Sequence, residues 1–372
     1  MRTTLAEEMG LEFPIFAFTH CRDVAAAVSK AGGLGVFGVA AHALDDLKME
    51  LAWIEKEVGD KPYGVDLLLP ARFAGSDRGG FDAGELDARI PDGHRRFLDD
   101  LLTRHEVPSL PANAEVAPEF AVGYEKQRDV IELVFQHDIS LIASALGPPP
   151  PWMIEMGREH GVKVAALAGT VEHARRHVEA GVDIVVAQGY EAGGHTGLVS
   201  TMVLVPEVVD AVAPIPVLAA GGIGNGRQVT ASLALGAQGV WTGSVWLTTE
   251  EAETHPVVKQ KFLEATSSDT IRSRSLTGKP ARMLRSAWTE AWEDSETPEP
   301  LPMPLQPRLV REAQARISRS AHKSQGAAEL SNYFVGQIVG SLDHVKSVRT
   351  VVEELVQEYA DTMERLDDWA GE

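Results

Sequence analysis

One histidine sits where proton chemistry is easily arranged. Residues Gln188, Gly189, Tyr190, Glu191, Ala192, Gly193, Gly194, His195, Thr196 and Gly197 follow an apolar run at 182–187. An imidazole is the side chain whose ordinary pKa lies closest to neutral, so it can take up or give a proton there. Gly193 and Gly194 just before it allow a sharp turn and a close approach of backbone to a ligand. The run at 182–187 lacks polar alternation, the pattern of a strand covered on both faces in a parallel sheet. In an α/β barrel the carboxyl ends of such strands carry the active site. The alternative at this point is a plain glycine turn with a solvated histidine.

Two glycine clusters offer a second chemistry. The first runs Ala219, Ala220, Gly221, Gly222, Ile223, Gly224, Asn225, Gly226, Arg227, and the second Gly239, Val240, Trp241, Thr242, Gly243, Ser244. Each follows a strand-like run. Barrels commonly hold a phosphate with backbone N–H groups of the loops after their last two strands. Gly222 and Gly243 would supply close N–H groups and Ser244 a hydroxyl. The spacing is not that of a dinucleotide fingerprint.

Other reactive side chains carry less. His20 and Cys21 are adjacent in the chain, and neighbours rarely point the same way, so Cys21 reads as a small packing residue rather than half of a Cys–His pair. Glu191 reads as a structural or solvated carboxylate rather than an acid/base. Asp183 stands at the start of its strand, the end of a barrel that serves stability. Trp288 and Trp292, four apart, suit packing better than a substrate cage. Lys279 and Arg282 suit either an anion or a solvated loop.

The elements that would position these residues alternate regularly. Strand-like runs lie at 13–18, 34–39, 63–69, 139–144, 162–167, 182–187, 215–219 and 238–242. Helical spacing appears at 23–30, 44–58, 125–136, up to about 160, 171–180, 206–212 and 226–235. Eight strands with intervening helices fit a (β/α)8 TIM barrel, with an open doubly wound sheet as the alternative. Residues 71–121 are too long for a simple connection and read as an insertion around a helix at 93–105. Residues 250–330 show no strand pattern, and 343–369 have the spacing of one long helix. The expected division is a barrel of 1–70 and 122–247, with the insertion and 248–372 forming a helical cap over its mouth.

Composition excludes whole classes. The 372 residues carry 34 basic and 54 acidic groups, a net charge of −20, which disfavours nucleic acid or an anionic membrane as partner. No apolar run reaches the length of a membrane span, and the N-terminus lacks a signal-peptide core. Cys21 is the only cysteine, so no internal disulfide forms, consistent with a cytoplasmic protein. No zinc-type Cys/His spacing is present, and no metal is expected.

The segments 188–197, 217–223 and 239–244 resemble the nitronate monooxygenase family, once called 2-nitropropane dioxygenases. Phe13, Pro14, Ile15 with Ala31, Gly32, Gly33, Leu34, Gly35 are similar to its N-terminal signature, and Thr277 to Arg282 to its helical-domain signature. The resemblance covers most of residues 1–285. It implies FMN on a barrel with a helical domain. By the same resemblance Ala17, Phe18, Gln188, Gly193, Gly194 and Gly224 would contact FMN. Gly222, Trp241, Thr242, Gly243 and Ser244 would hold its phosphate, and His195 would be the catalytic base. Asp66 falls where many members have an asparagine at the flavin ring. Read as ionised, Asp66 is an acceptor only, and its charge opposes an anionic reduced flavin. Leu167 stands where some members have a lysine. The resemblance implies oxidation of alkyl nitronates with O2. FMN-dependent NAD(P)H reduction of a quinone or enoyl thioester uses the same barrel and motif. A flavin-free sugar-phosphate lyase or isomerase is the reading from another class. A small-molecule substrate is common to all three, and a homodimer is one assembly open to the chain.

Overall fold

The computed structural model describes residues 1–371 apart from 41, 112, 115 and 117–123. The expected boundary between insertion and barrel at 121–122 lies outside the described residues. The strands in chain order are β1 (Ile15–Thr19), β2 (Leu34–Gly38), β3 (Tyr63–Leu68), β4 (Leu141–Ala145), β5 (Lys163–Ala168), β6 (Ile184–Gln188), β7 (Gly194–His195), β8 (Val217–Ala220), β9 (Gly239–Thr242), β10 (Thr270–Ser273) and β11 (Ala281–Leu284). All but β7, β10 and β11 close a parallel barrel in sequence order, and β9 pairs with β1 through Ile15 opposite Val240. The barrel strands lie within about two residues of their sequence-based bounds, the usual uncertainty of such ends. The barrel class is thus confirmed over the open sheet.

Strand geometry sorts the side chains. Successive residues point to opposite faces. Phe16, Val36, Leu141, Ala143, Val186, Leu218 and Trp241 therefore pack together inside the barrel. Ala17, Phe37, Val65, Leu67, Ile142, Ala187 and Val240 face the surrounding helices. The helix Thr4–Glu8 brings Leu5 and Ala6 against the inner cluster from the amino-terminal end. Thr3 Oγ1 donates to Gln238 O at 2.7 Å and ties that floor down. The barrel is filled from below and open only above.

Two expectations about the C-terminal part are corrected. The stretch 250–330 contains strands after all: β10 and β11 form an antiparallel pair, with β7 on the free edge of β11. Each is four residues long and carries arginines, so no period-two pattern develops. The last helix, Val348–Gly371, does not cap the mouth. It packs on the helices Gly226–Ala234 and Arg22–Lys30 and completes the outer ring between β9 and β1. Gly226 N donates to Glu358 Oε2 at 2.8 Å across that contact. Its apolar stripe was legible, but a stripe does not say which surface it covers.

A second apolar core stands beside the barrel. Leu86, Leu98, Leu101 and Leu102 meet Trp288, Trp292, Leu309, Val310, Ile317 and Leu330 there. The two tryptophan rings lie 5.9 Å apart and are packing residues. One barrel helix also differs: Thr201–Val212 begins ahead of Pro206, which lies inside it. Proline usually marks a first turn, so the sequence reading placed the start too late.

Candidate active site

Alternation along the barrel strands puts a set of polar and aromatic residues inward at the carboxyl ends. Val65 and Leu67 face the helices, so Asp66 between them faces the interior; Ala187 faces outward, so Gln188 faces inward. Phe18 and Trp241 join them, their rings stacked at 6.4 Å and 17°. Above these residues opens a cavity of about 1260 Å³. Its wall includes Phe18, Asp66, Gln188, Gly193, Gly194, His195, Gly222, Trp241, Thr242, Gly243 and Ser244. Two expected residues do not reach it. Ala17 is on the outward face of β1 among helix side chains. Gly224 has its N–H taken by Gln228 Oε1 at 2.8 Å, in the capping box of the next helix.

His195 is held by the small antiparallel sheet. It pairs with Ala281, and Gly194 pairs with Arg282. The imidazole Nε2 lies 2.9 Å from Thr277 Oγ1, and that hydroxyl donates to Lys279 O at 3.1 Å. With its only proton spent on Lys279, Thr277 accepts from Nε2–H, and Nδ1 keeps the lone pair. Burial pushes the His195 pKa down to about 4, and the nearby Lys279 ammonium adds to the effect. The imidazole is therefore neutral through the physiological range.

The turn before His195 is fixed by contacts that tolerate no side chain. A Cβ on Gly193 would lie 2.8 Å from Gly336 N and Val335 C. Arg282 is buried and donates through Nε and Nη2 to Tyr190 O at 3.1 and 3.0 Å, with Nη1 on Thr270 Oγ1. It also lies 4.3 Å over the Tyr190 ring. Arg282 is thus a structural clamp, not an anion ligand or a solvated side chain, while Lys279 does line the cavity. Glu191 is structural too: it accepts from Thr201 N at 2.9 Å and Thr201 Oγ1 at 2.8 Å and caps the helix there.

Beside the loop that carries His195 lie the ends of β8 and β9. Gly222 adopts a left-handed φ of +70°, a conformation glycine reaches without strain. Ser244 Oγ accepts from Gly336 N at 2.7 Å, which leaves its own proton to donate. Asp66 is 6% exposed, and its Oδ2 has no partner. Burial raises its pKa well above the ordinary carboxylate value. The sequence reading took Asp66 as ionised; burial instead favours its neutral form, and among the described residues no cation pairs with it. His20 holds Gly38 O through Nδ1 at 3.0 Å, and burial lowers its pKa. Cys21 Sγ donates to Glu251 O at 3.2 Å, so no Cys–His pair forms. Asp183 accepts from Val164 N at 2.8 Å, far from the mouth, as its place at the strand start implied.

Charge in the cavity runs against that of the chain. Arg72, Arg176 and Lys279 line it, with Glu253 and Asp66 as the acids, although the whole protein carries −20. Sequence reasoning missed Thr277 as the partner of His195, although the residue lies in the recognised 277–282 motif. It also missed Tyr333, Phe334 and Gly336, which line the cavity from an extended segment with no charge or periodicity to mark it. Phe334 stands 6.2 Å from the His195 ring.

Comparisons with known proteins place the chain among relatives of the same fold. The nitronate monooxygenase family description matches residues 3–358. Rv1533 of Mycobacterium tuberculosis, provisionally named a monooxygenase, is 60% identical over 369 residues, covering 98% of each chain. A probable nitronate monooxygenase of Bacillus subtilis is 31% identical, covering 90% of this chain and 91% of its own. The structure of a nitroalkane oxidase from Streptomyces ansochromogenes superposes with a TM-score of 0.79 at 24% identity, over 97% of this chain and 99% of that one, and shares its fold.

Proposed function

This chain belongs to the nitronate monooxygenase family, and on that premise we propose that it binds FMN and oxidises alkyl nitronates with O2 in the cytoplasm. As an enzyme of that family it is an oxidoreductase of the monooxygenase type. The residues present suit the cofactor. Gly222 with its left-handed φ, Gly243 with room for a close approach and the Ser244 hydroxyl, free to donate, line the cavity where β8 and β9 end. The partnerless Asp66 Oδ2 is a buried polar atom awaiting a ligand. Gly222 and Trp241 to Ser244 would hold the phosphate; Phe18, Asp66, Gln188, Gly193 and Gly194 would border the ring. FMN, when bound, supplies the electron transfer between substrate and O2.

The choice of substrate rests on His195. A neutral nitroalkane must lose an α-proton before it can give electrons, and an efficient base has a pKa near the working pH. An imidazole at about 4 is a weak acceptor. A nitronate has already lost that proton. Nε2 is tied to Thr277, and the neighbouring Lys279 cation favours an anion in front of the imidazole. The single observation that carries the reading is a half-buried His195 tied through Nε2 to Thr277 with the Lys279 cation beside it. His195 then orients the anion and excludes water more than it abstracts protons.

The test is the visible spectrum and cofactor content of the purified protein. Yellow protein that releases FMN on denaturation is the expected result. Colourless protein that takes up no added FMN ends the flavin reading and leaves the sugar-phosphate lyase or isomerase. One observation favours a second reading: the cavity continues past the barrel mouth to Gln314 and Ile317, room for a further large ligand. That suits NAD(P)H-dependent reduction of a quinone or enoyl thioester. Rapid anaerobic bleaching by NADH, with no oxidation of nitronate, would select it.

A further inference from the structure

We propose that Asp66 works as a neutral carboxylic acid, giving its O–H as a hydrogen bond to the flavin ring. The inference rests on the FMN reading above and adds a role for a side chain that the charge pattern alone would assign as an anion.

The geometry carries it. Asp66 is the inward residue of β3 between outward Val65 and Leu67, 6% exposed, in the cavity wall. Its neighbours across the sheet are Gly38 on β2 and Ala143 on β4, neither of which can ion-pair. Among the described residues no cation lies within salt-bridge reach of it, although Arg72, Arg176 and Lys279 line other parts of the same cavity. Three histidines on surrounding elements face the same region, while Arg72 and Arg176 form no ion pair with Asp66. His20 is bound to Gly38 O, His177 is bound to Leu167 O on β5, and His195 faces the cavity from β7; burial disfavours the charged form of each. His42 stands beyond Phe37, 5.3 Å from its ring. Among the described residues nothing stabilises a carboxylate at Asp66, and an isolated buried anion is far costlier than the neutral acid.

Protonation changes what the residue can do. An ionised carboxylate only accepts hydrogen bonds. The neutral acid has one O–H donor and one carbonyl acceptor, the same pair that an asparagine amide presents in nearly the same volume. Oδ2 without a protein partner is then a donor or acceptor reserved for a ligand. A flavin ring edge, with alternating carbonyl and N–H groups, matches such a pair. Asp66 thus binds the ring without adding charge beside it.

The experiment compares FMN-loaded wild type with Asp66→Asn and Asp66→Leu at pH 7. Infrared difference spectra with isotope-labelled aspartate read the protonation state directly. Flavin fluorescence reads the dissociation constant, and a redox titration reads the potential. A protonated carboxyl band in the wild type that vanishes in Asp66→Asn is expected. FMN affinity of Asp66→Asn should stay within about twofold of wild type, and Asp66→Leu should lose about tenfold, the worth of one good hydrogen bond. The potential of Asp66→Asn should match the wild type. A carboxylate band at pH 7, a clear rise in potential in Asp66→Asn, or wild-type affinity in Asp66→Leu overturns the proposal. Colourless wild-type protein instead overturns the FMN reading, and the infrared band still reports Asp66 by itself.

Discussion

At the scale of single residues, the site contains two groups whose pKa values burial displaces toward the neutral form. His195 has its pKa lowered to about 4, so it is neutral above that and charged below. A pH profile of kcat/KM for a nitronate should run flat through neutrality and fall only as pH drops through about 4. An acid limb near 6.5, the ordinary imidazole value, would mean a solvated His195. Asp66 has the opposite displacement for its type, a raised carboxyl pKa. Its contribution to stability is fully present below the ordinary carboxyl value of about 4 and is lost as pH rises through the raised one. Asp66→Asn removes that loss. Its melting temperature should exceed the wild type at pH 8 and match it near pH 3.5, measured by calorimetry on both proteins. Both residues were legible as candidates, His195 from its glycine turn and Asp66 from its strand. Their protonation states were not, because a sequence does not say which neighbours are missing around a buried group.

At the scale of elements, the His195 turn is positioned by a small sheet that the sequence concealed. β10 and β11 are short, and the buried face of β11 carries Arg282, so polarity misleads about burial. The arginine is affordable there because Tyr190 O and Thr270 Oγ1 take its protons and the Tyr190 ring covers it. Arg282→Lys keeps the charge but loses the fork. Oxidation rates should fall while the bound-flavin spectrum persists, since Arg282 touches no residue of the phosphate cradle. A variant with wild-type rates would show that the clamp is dispensable. Gly193→Ala is a sharper probe, because its Cβ would meet backbone of Val335 and Gly336 at 2.8 Å. A cost of about 1–3 kcal/mol in denaturant unfolding is expected, as for other overpacked sites. A neutral outcome would mean that the 335–336 strap is free to move away.

At the scale of the whole molecule, the barrel was the legible part and the cover was not. Eight apolar runs in alternation with helical spacing leave few other folds. The placement of the last helix against the barrel wall and of Tyr333, Phe334 and Gly336 over the mouth depends on tertiary contacts between residues far apart in the chain. The second core rests on Trp288, fully buried among leucines, so Trp288→Ala should destabilise by about 3–5 kcal/mol in chemical denaturation. The cationic wall of Arg72, Arg176 and Lys279 inside a chain of net −20 draws small anions toward the barrel mouth. Oxygen uptake by the FMN-loaded enzyme, with 2-nitropropane and with its preformed nitronate at equal concentration, tests the central claim most directly. Rapid uptake with the nitronate and little with the neutral nitroalkane is the expected result. Equal rates with both, or uptake with neither alongside rapid bleaching by NADH, would contradict it.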